Sequence, residues 1–334
     1  MFWQEIYPLL LNAPRLAIAT MIIAALSVSR PGPAAAQSSD VPAWLQKHAG
    51  TGDGQIAQVI LNRARALHQK KRSQGAITNP CYLAMDATRP STSQSGKPGR
   101  RFYVICESKR SFRAVSSGYG NGRKLKRANF SNGRQCAKNF SNAEGSKLTM
   151  GGSYVTAETR TSFKGYYSRS GKRTPFYRTF LLFDGEGETN NARERAIGGH
   201  QATFLKWQCR LQKPESPHAD KDGYVFFGRL VDYTSGRSNG CTTWSQTASK
   251  EIITLVEDNP TTLYIYPESG DIKAVASAVK AGKSLSQAGL YWNETCRKAI
   301  GAPKFWPKRN LQPIINKWRR SLKNQPQRVL PVCR

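Results

Sequence analysis

Acidic residues are scarce in this chain. Its 334 residues include 21 Asp and Glu against 51 Lys and Arg, a formal charge of +30, so an anionic partner is expected. Long apolar runs are missing too: none reaches the roughly 18 residues that a spanning helix needs, which leaves no secure transmembrane segment. Closely spaced cysteines are absent. Seven stand at 81, 106, 136, 209, 241, 296 and 333 without one Cys-x-x-Cys pair, so a zinc knuckle is excluded and neither a metal site nor a cofactor is expected. Histidine is limited to four. What is present, 39% hydrophobic residues and 10% aromatics, excludes collagen, coiled coil and wholesale disorder, and the length suits one large domain with trimmings, or two.

Residues 1–36 have the layout of an export signal. Arg15 precedes an apolar stretch, Leu16 to Leu26; a Pro/Gly break follows, and Ala34, Ala35 and Ala36 form a small-residue exit before Gln37. Cleavage is expected there, with an uncleaved anchor as the alternative. Outside the cytosol thiols pair, and an odd number of cysteines leaves at least one over. The cations are spread along the chain, with 14 Lys and Arg against 3 Asp and Glu in the last 68 residues and 10 against 1 from Lys97 to Arg127. An exported protein of this charge meets anionic cell-wall polymers and lipid headgroups more often than nucleic acid, and no nucleic-acid partner is expected; a basic surface kept for solubility is the plainer reading.

A helical lead-in is predicted over residues 40–78: Ile56, Val59, Ile60, Ala64 and Leu67 recur at helical spacing, Asp53 offers an N-cap and Gly75 closes the pattern. From Cys81 to about Pro267 short β-type runs take over, at Cys81 to Met85, Phe102 to Cys106, Phe112 to Val115, Ser153 to Ala157, Thr179 to Phe183, Tyr224 to Leu230 and Thr262 to Tyr266, which argues for a mainly β sandwich or barrel. A basic extension, residues 268–334, carries helical stretches at Ile272 to Val279 and Leu311 to Leu322. Its Trp306 and Trp318 either bind a polymer or, as favoured here, pack the tail onto the domain. A disulfide between Cys296 and Cys333 is plausible but not derivable from sequence.

Chemistry is expected in the turn Gly236 to Trp244, where Cys241 follows Gly240 among small polar residues. Glycine lets backbone approach a carbonyl closely, and amides in such a turn can face an oxyanion. The plain alternative is a disulfide cysteine in a turn. A thiol needs a base, since only the thiolate attacks. His48 and His68 belong to the helical region, which leaves His200, after the pair Gly198 and Gly199, and His218, in a Pro-rich polar stretch; His200 is preferred.

These segments, in this order, resemble the murein L,D-transpeptidase catalytic domain family. Tyr82 to Asp86 with Arg89 to Thr92, and Arg101 to Ile105, are similar to its opening strands; Phe140 to Asn142 with Gly145 and Ser146, and Gly152 to Glu158, resemble its central block. Asn190, Asn191, Ala192, Arg195, Ala196, Ile197 and His200 match its N-x-x-A-x-x-R-x-I-x-x-H stretch, and Gly236, Arg237, Ser238, Gly240 and Cys241 its G-R-S-x-G-C signature; Leu263 to Tyr266 resembles its closing strand. The similarity covers about residues 55 to 267. Two positions depart from the pattern. Gln201 stands where the family has Gly, and the interval of 41 residues from His200 to Cys241 is longer than usual, as an insertion at about 204–233 would make it.

The resemblance implies an L,D-transpeptidase-like β domain, residues 79–267, that performs cysteine acyl transfer on peptidoglycan stem peptides in the periplasm or at the cell wall. Cys241 would be the nucleophile and His200 the base; the Gly240 and Cys241 amides would stabilise the oxyanion; Ser238 and Arg237 would orient the turn or bind substrate. No obligate protein partner is implied. With Cys241 reduced, the other six cysteines can form three disulfides. An L,D-carboxypeptidase and a non-catalytic basic wall-binding protein are the alternatives.

Overall fold

A computed structural model describes residues 41–234, 236–323 and 329–334. The expected export signal at 1–36 lies outside the described residues. After a short helix α1 (Ala43–Gln46) comes α2 (Gln58–Ser73), then the strands β1 (Cys81–Asp86), β2 (Arg100–Cys106), β3 (Ser111–Ser116), β4 (Gly152–Arg169), β5 (Lys172–Gly185), β6 (Gly198–Gln201), β7 (Thr203–Gln212), β8 (Tyr224–Asp232), β9 (Thr242–Trp244) and, beyond helix α3 (Gln246–Val256), β10 (Thr262–Tyr266). The tail carries α4 (Ser269–Lys280), α5 (Glu294–Ile300) and α6 (Lys308–Lys323).

The strands form one ten-stranded mixed sheet in the order β9-β6-β5-β4-β10-β1-β2-β3, with the β7–β8 hairpin joined to β4 through β8. Just past β3, Gly118 bridges Thr243 of β9, so the two ends of the strand path meet as in a barrel. The mainly β fold expected from the residue patterns is therefore present. Alternation sorts β1, β2 and β10 between two cores, because successive side chains leave opposite faces of a strand. Leu83, Met85, Phe102, Leu263 and Ile265 face a core closed by α3 and α4, while Tyr82, Ala84, Tyr103, Ile105 and Tyr264 face Ile60, Leu61 and Ala64 of α2.

Two local expectations are corrected. Asp53 does not cap α2: the helix begins at Gln58 behind Ala57, and Asp53 instead accepts hydrogen bonds from the Arg100 amide and Nε at 2.9 and 3.0 Å, because the segment between α1 and α2 turns back onto the start of β2. Cys296 is not joined to Cys333. The disulfides are Cys81–Cys106, Cys136–Cys296 and Cys209–Cys333, since α5 faces the loop bearing Cys136 while the C-terminal peptide runs beside β7, with the Arg210 and Cys333 amides bonding Pro331 and Arg210 carbonyls.

The tail packs onto the domain. Leu311 and Ile315 of α6 join Phe130, Ala143 and Leu148 in a third core; Trp306 donates to Asn139 Oδ1 at 2.8 Å and Trp318 lies under Arg123 at 4.2 Å.

Candidate active site

Strands β6 and β9 pair in parallel, with Gly199 opposite Thr242 and His200 opposite Thr243. Paired residues of parallel strands share a face, so His200 and Thr243 look the same way, and Cys241, two residues before Thr243, falls on that side. Trp244 leaves by the other face into the core and lies against Gly199; a Cβ there would collide with the indole. That contact explains the glycine beside His200. Cys241, His200 and Thr243 line a cavity of about 1300 Å³.

Cys241 is the free cysteine among the described residues and is 8% exposed. Burial pushes its thiol pKa up, and a hydrogen bond from the Gly198 backbone together with the Arg178 and Arg195 charges pulls the other way. Its Sγ lies 3.6 Å from the Ala196 carbonyl, and among the described residues no hydrogen bond links it to His200. His200 Nδ1 lies 2.7 Å from the Gln201 carbonyl. A carbonyl only accepts, so Nδ1 carries the proton and Nε2 keeps the basic lone pair. Burial, then the charges of Arg178 and Lys164, push the imidazole pKa down to about 4, so it is neutral near pH 7. The replacement of Gly by Gln at 201 leaves this contact intact, because the backbone makes it.

The signature turn is internally bonded. Ser238 Oγ donates to the Cys241 carbonyl and accepts from the Gly240 amide at 3.1 Å. The Gly240 amide, expected to face an oxyanion, is thus bonded to the hydroxyl two residues back. Gly240 has φ +115°, which a side chain would strain. Arg237 donates to the Asn132 carbonyl at 2.8 Å and borders the cavity. Arg195, from the histidine stretch, is half-buried and donates to the Leu148 carbonyl at 2.6 Å, beneath Gly240. His218, the other histidine weighed as base, is elsewhere: it stacks on Phe163 at 4.2 Å and meets the Tyr177 hydroxyl at 3.1 Å.

A model of the L,D-transpeptidase catalytic domain matches residues 53–266. The chain belongs to that family. No curated protein and no solved structure matches it.

Sequence reading missed the wall that this L,D-transpeptidase domain sets opposite Cys241. Arg160, Ser162 and Lys164 of β4 and Phe176, Arg178 and Phe180 of β5 line the cavity at every second residue. Arg178 Nε has no hydrogen-bond partner, and its pKa is lowered by burial. Together with Arg134 and Arg237 these give five cations lining the cavity, and no Asp or Glu lines it among the described residues. The alternation of Arg160, Ser162 and Lys164 was available as a signal, but only strand pairing sets it against the signature turn.

Proposed function

We propose that the protein is a peptidoglycan L,D-transpeptidase, exported to the periplasm or cell wall, that acylates Cys241 with a stem peptide and transfers the acyl group to an amine of a second stem. The observation that carries this reading is a reduced, buried cysteine sharing one cationic cavity with a neutral histidine whose Nε2 carries the basic lone pair and has no hydrogen bond among the described residues.

The thiol proton passes to His200 Nε2 as Sγ bonds the carbonyl carbon of the third stem residue. Charge on the carbonyl oxygen meets the Cys241 amide and the positive field of Arg178. Collapse breaks the C–N bond to the terminal D-alanine, whose nitrogen takes the proton from Nε2, leaving a thioester. The acceptor amine then attacks, gives up a proton to Nε2 and forms the new amide as the thiolate departs and is reprotonated. Nδ1 stays on the Gln201 carbonyl throughout, so one tautomer serves both halves. Stem peptides carry several carboxylates, which suits this cationic cavity, where Arg178 can grip a carboxylate through two N–H groups.

Incubation with a disaccharide tetrapeptide should yield cross-linked dimers by mass spectrometry; tripeptide alone would mean an L,D-carboxypeptidase. A carbapenem should add to the intact protein and fail to add to Cys241→Ala. No adduct on the unchanged protein would leave a wall-binding role.

A further inference from the structure

A second cavity of about 540 Å³, unused by the chemistry above, opens between β4 and the β7–β8 hairpin, within the long interval separating His200 from Cys241. Phe163, Trp207, Tyr224 and Phe226 give it apolar walls, and Arg210 and His218 add polar ones. Trp207 and Phe226 stack in parallel, with centroids 3.9 Å apart and planes 11° from parallel, yet remain 46% and 40% exposed. Large aromatic area left open to water in this way marks a surface that meets a partner.

The platform is held in place. The Trp207 indole donates to the Lys164 carbonyl at 2.9 Å, and Gly228 stands opposite Trp207 across the hairpin. Arg210 is laid over Tyr224 at 4.7 Å, and its neighbour Cys209 is bonded to Cys333, which anchors the hairpin to the C-terminus. Trp207 and Lys164 line both cavities, so the second adjoins the one that holds Cys241.

We infer that this cleft is a glycan subsite, which takes the amino-sugar backbone of the substrate while the attached stem peptide reaches Cys241. A pyranose ring has a flat face of C–H bonds that lies well on an aromatic ring, and its hydroxyl and acetamido groups project sideways, where planar donors such as Arg210 and the His218 ring can meet them. The volume is of the size that small-ligand sites occupy, roughly 300 to 1000 Å³. A bilayer would be met differently, by apolar side chains free to insert; here the rings lie flat, pinned by stacking and by the indole hydrogen bond. The inference rests on the peptidoglycan reading for the nature of the polymer, but its test does not depend on turnover.

The full chain carrying Cys241→Ala would be titrated calorimetrically with a soluble N-acetylglucosamine tetramer and sedimented with peptide-free glycan strands. Both are expected to bind. Trp207→Ala should weaken binding about tenfold and Phe226→Ala several-fold, whereas Trp207→Tyr, which keeps a stacking face, should stay close to the parent. Phe226→Ala alone, with Cys241 present, should form the carbapenem adduct at the parent rate. The inference is overturned if the parent binds neither glycan, if both alanine variants bind as the parent does, or if Trp207-dependent association appears only with phosphatidylglycerol vesicles. Glycan binding without any cross-linking would strike the proposed reaction alone; cross-linking of stems without glycan binding would strike the subsite alone.

Discussion

The region where α2 meets the sheet and the cavity that holds Cys241 handle cations in opposite ways. Beside α2, Arg63 is held by both oxygens of Asp271 at 2.7 and 2.9 Å, Arg65 by Glu107 at 2.8 Å, and the buried Arg89 by Asp86 at 3.1 Å. Asp86 also accepts from Thr88 and Tyr291. Arg101 is the exception there, with its guanidinium over Tyr119 at 4.9 Å and no acceptor for its three nitrogens. Around Cys241, Arg160 reaches Glu158 outside the cavity, but among the described residues no carboxylate meets Arg178 or Lys164, which face it. Leaving a half-buried cation without a counter-charge is costly, and under the proposed reaction an anionic substrate would complete Arg178 and Lys164. The first arrangement holds the fold; the second is suited to an anionic substrate.

The contrast can be broken from either side. The largest effect is expected for Cys241→Ala, which should lower turnover by on the order of 10⁴-fold or more while leaving the denaturant midpoint near that of the parent. Next comes His200→Ala, at about 10² to 10⁴-fold in kcat/KM. In the parent, the acid limb of kcat/KM should fall near pH 4, since burial depresses the imidazole; a limb at the ordinary histidine value of about 6.5 would place the base in open solvent.

On the structural side, Asp86→Asn should cost roughly 3 to 5 kcal/mol in urea unfolding by leaving Arg89 unpaired, with activity per folded molecule retained. A smaller change is expected for Arg178→Gln: a loss of about 10 to 100-fold in kcat/KM, and slower alkylation of Cys241 by iodoacetamide at fixed pH, because a positive charge that lowers the thiol pKa has gone. An unchanged alkylation rate would remove Arg178 from the field at the sulfur.

The gentlest test is stability against pH. His68 and His200 both have folded pKa values of about 4, lowered first by burial, against 6.5 unfolded. Between these values the unfolded chain binds more protons, so stability from both groups is complete above about pH 6.5 and drains away as pH falls toward 4. Melting temperatures should drop across that window, and replacing His68 with Gln should flatten part of the fall.

Much of this was legible beforehand. All seven strands predicted from apolar and β-branched runs lie within observed strands, and the stripe on α2 faces the sheet. Strand β6 escaped because Gly-Gly-His-Gln has no strand propensity; it is held by its neighbours, Leu181 on one side and Thr242 on the other. Helix α3 escaped although Ser245 caps it through the Ala248 amide and Ile252, Ile253 and Val256 follow a helical period, because the surrounding β pattern dominated the reading.

The sequence by itself determined that this is a mainly β L,D-transpeptidase domain, that an odd cysteine stands in a Gly-Arg-Ser-Asn-Gly-Cys turn, and that one histidine stretch accompanies it, because residue type and local spacing carry those facts. Only the tertiary structure decided which cysteines pair, that the Gln201 carbonyl holds Nδ1, that Ser238 claims the Gly240 amide, and that Arg178 and Lys164 border the same cavity as Cys241. The disulfides and the shared cavity join segments tens of residues apart through strand register and packing, and the two short-range contacts depend on the backbone conformation that this packing imposes on residues 200–201 and 238–240.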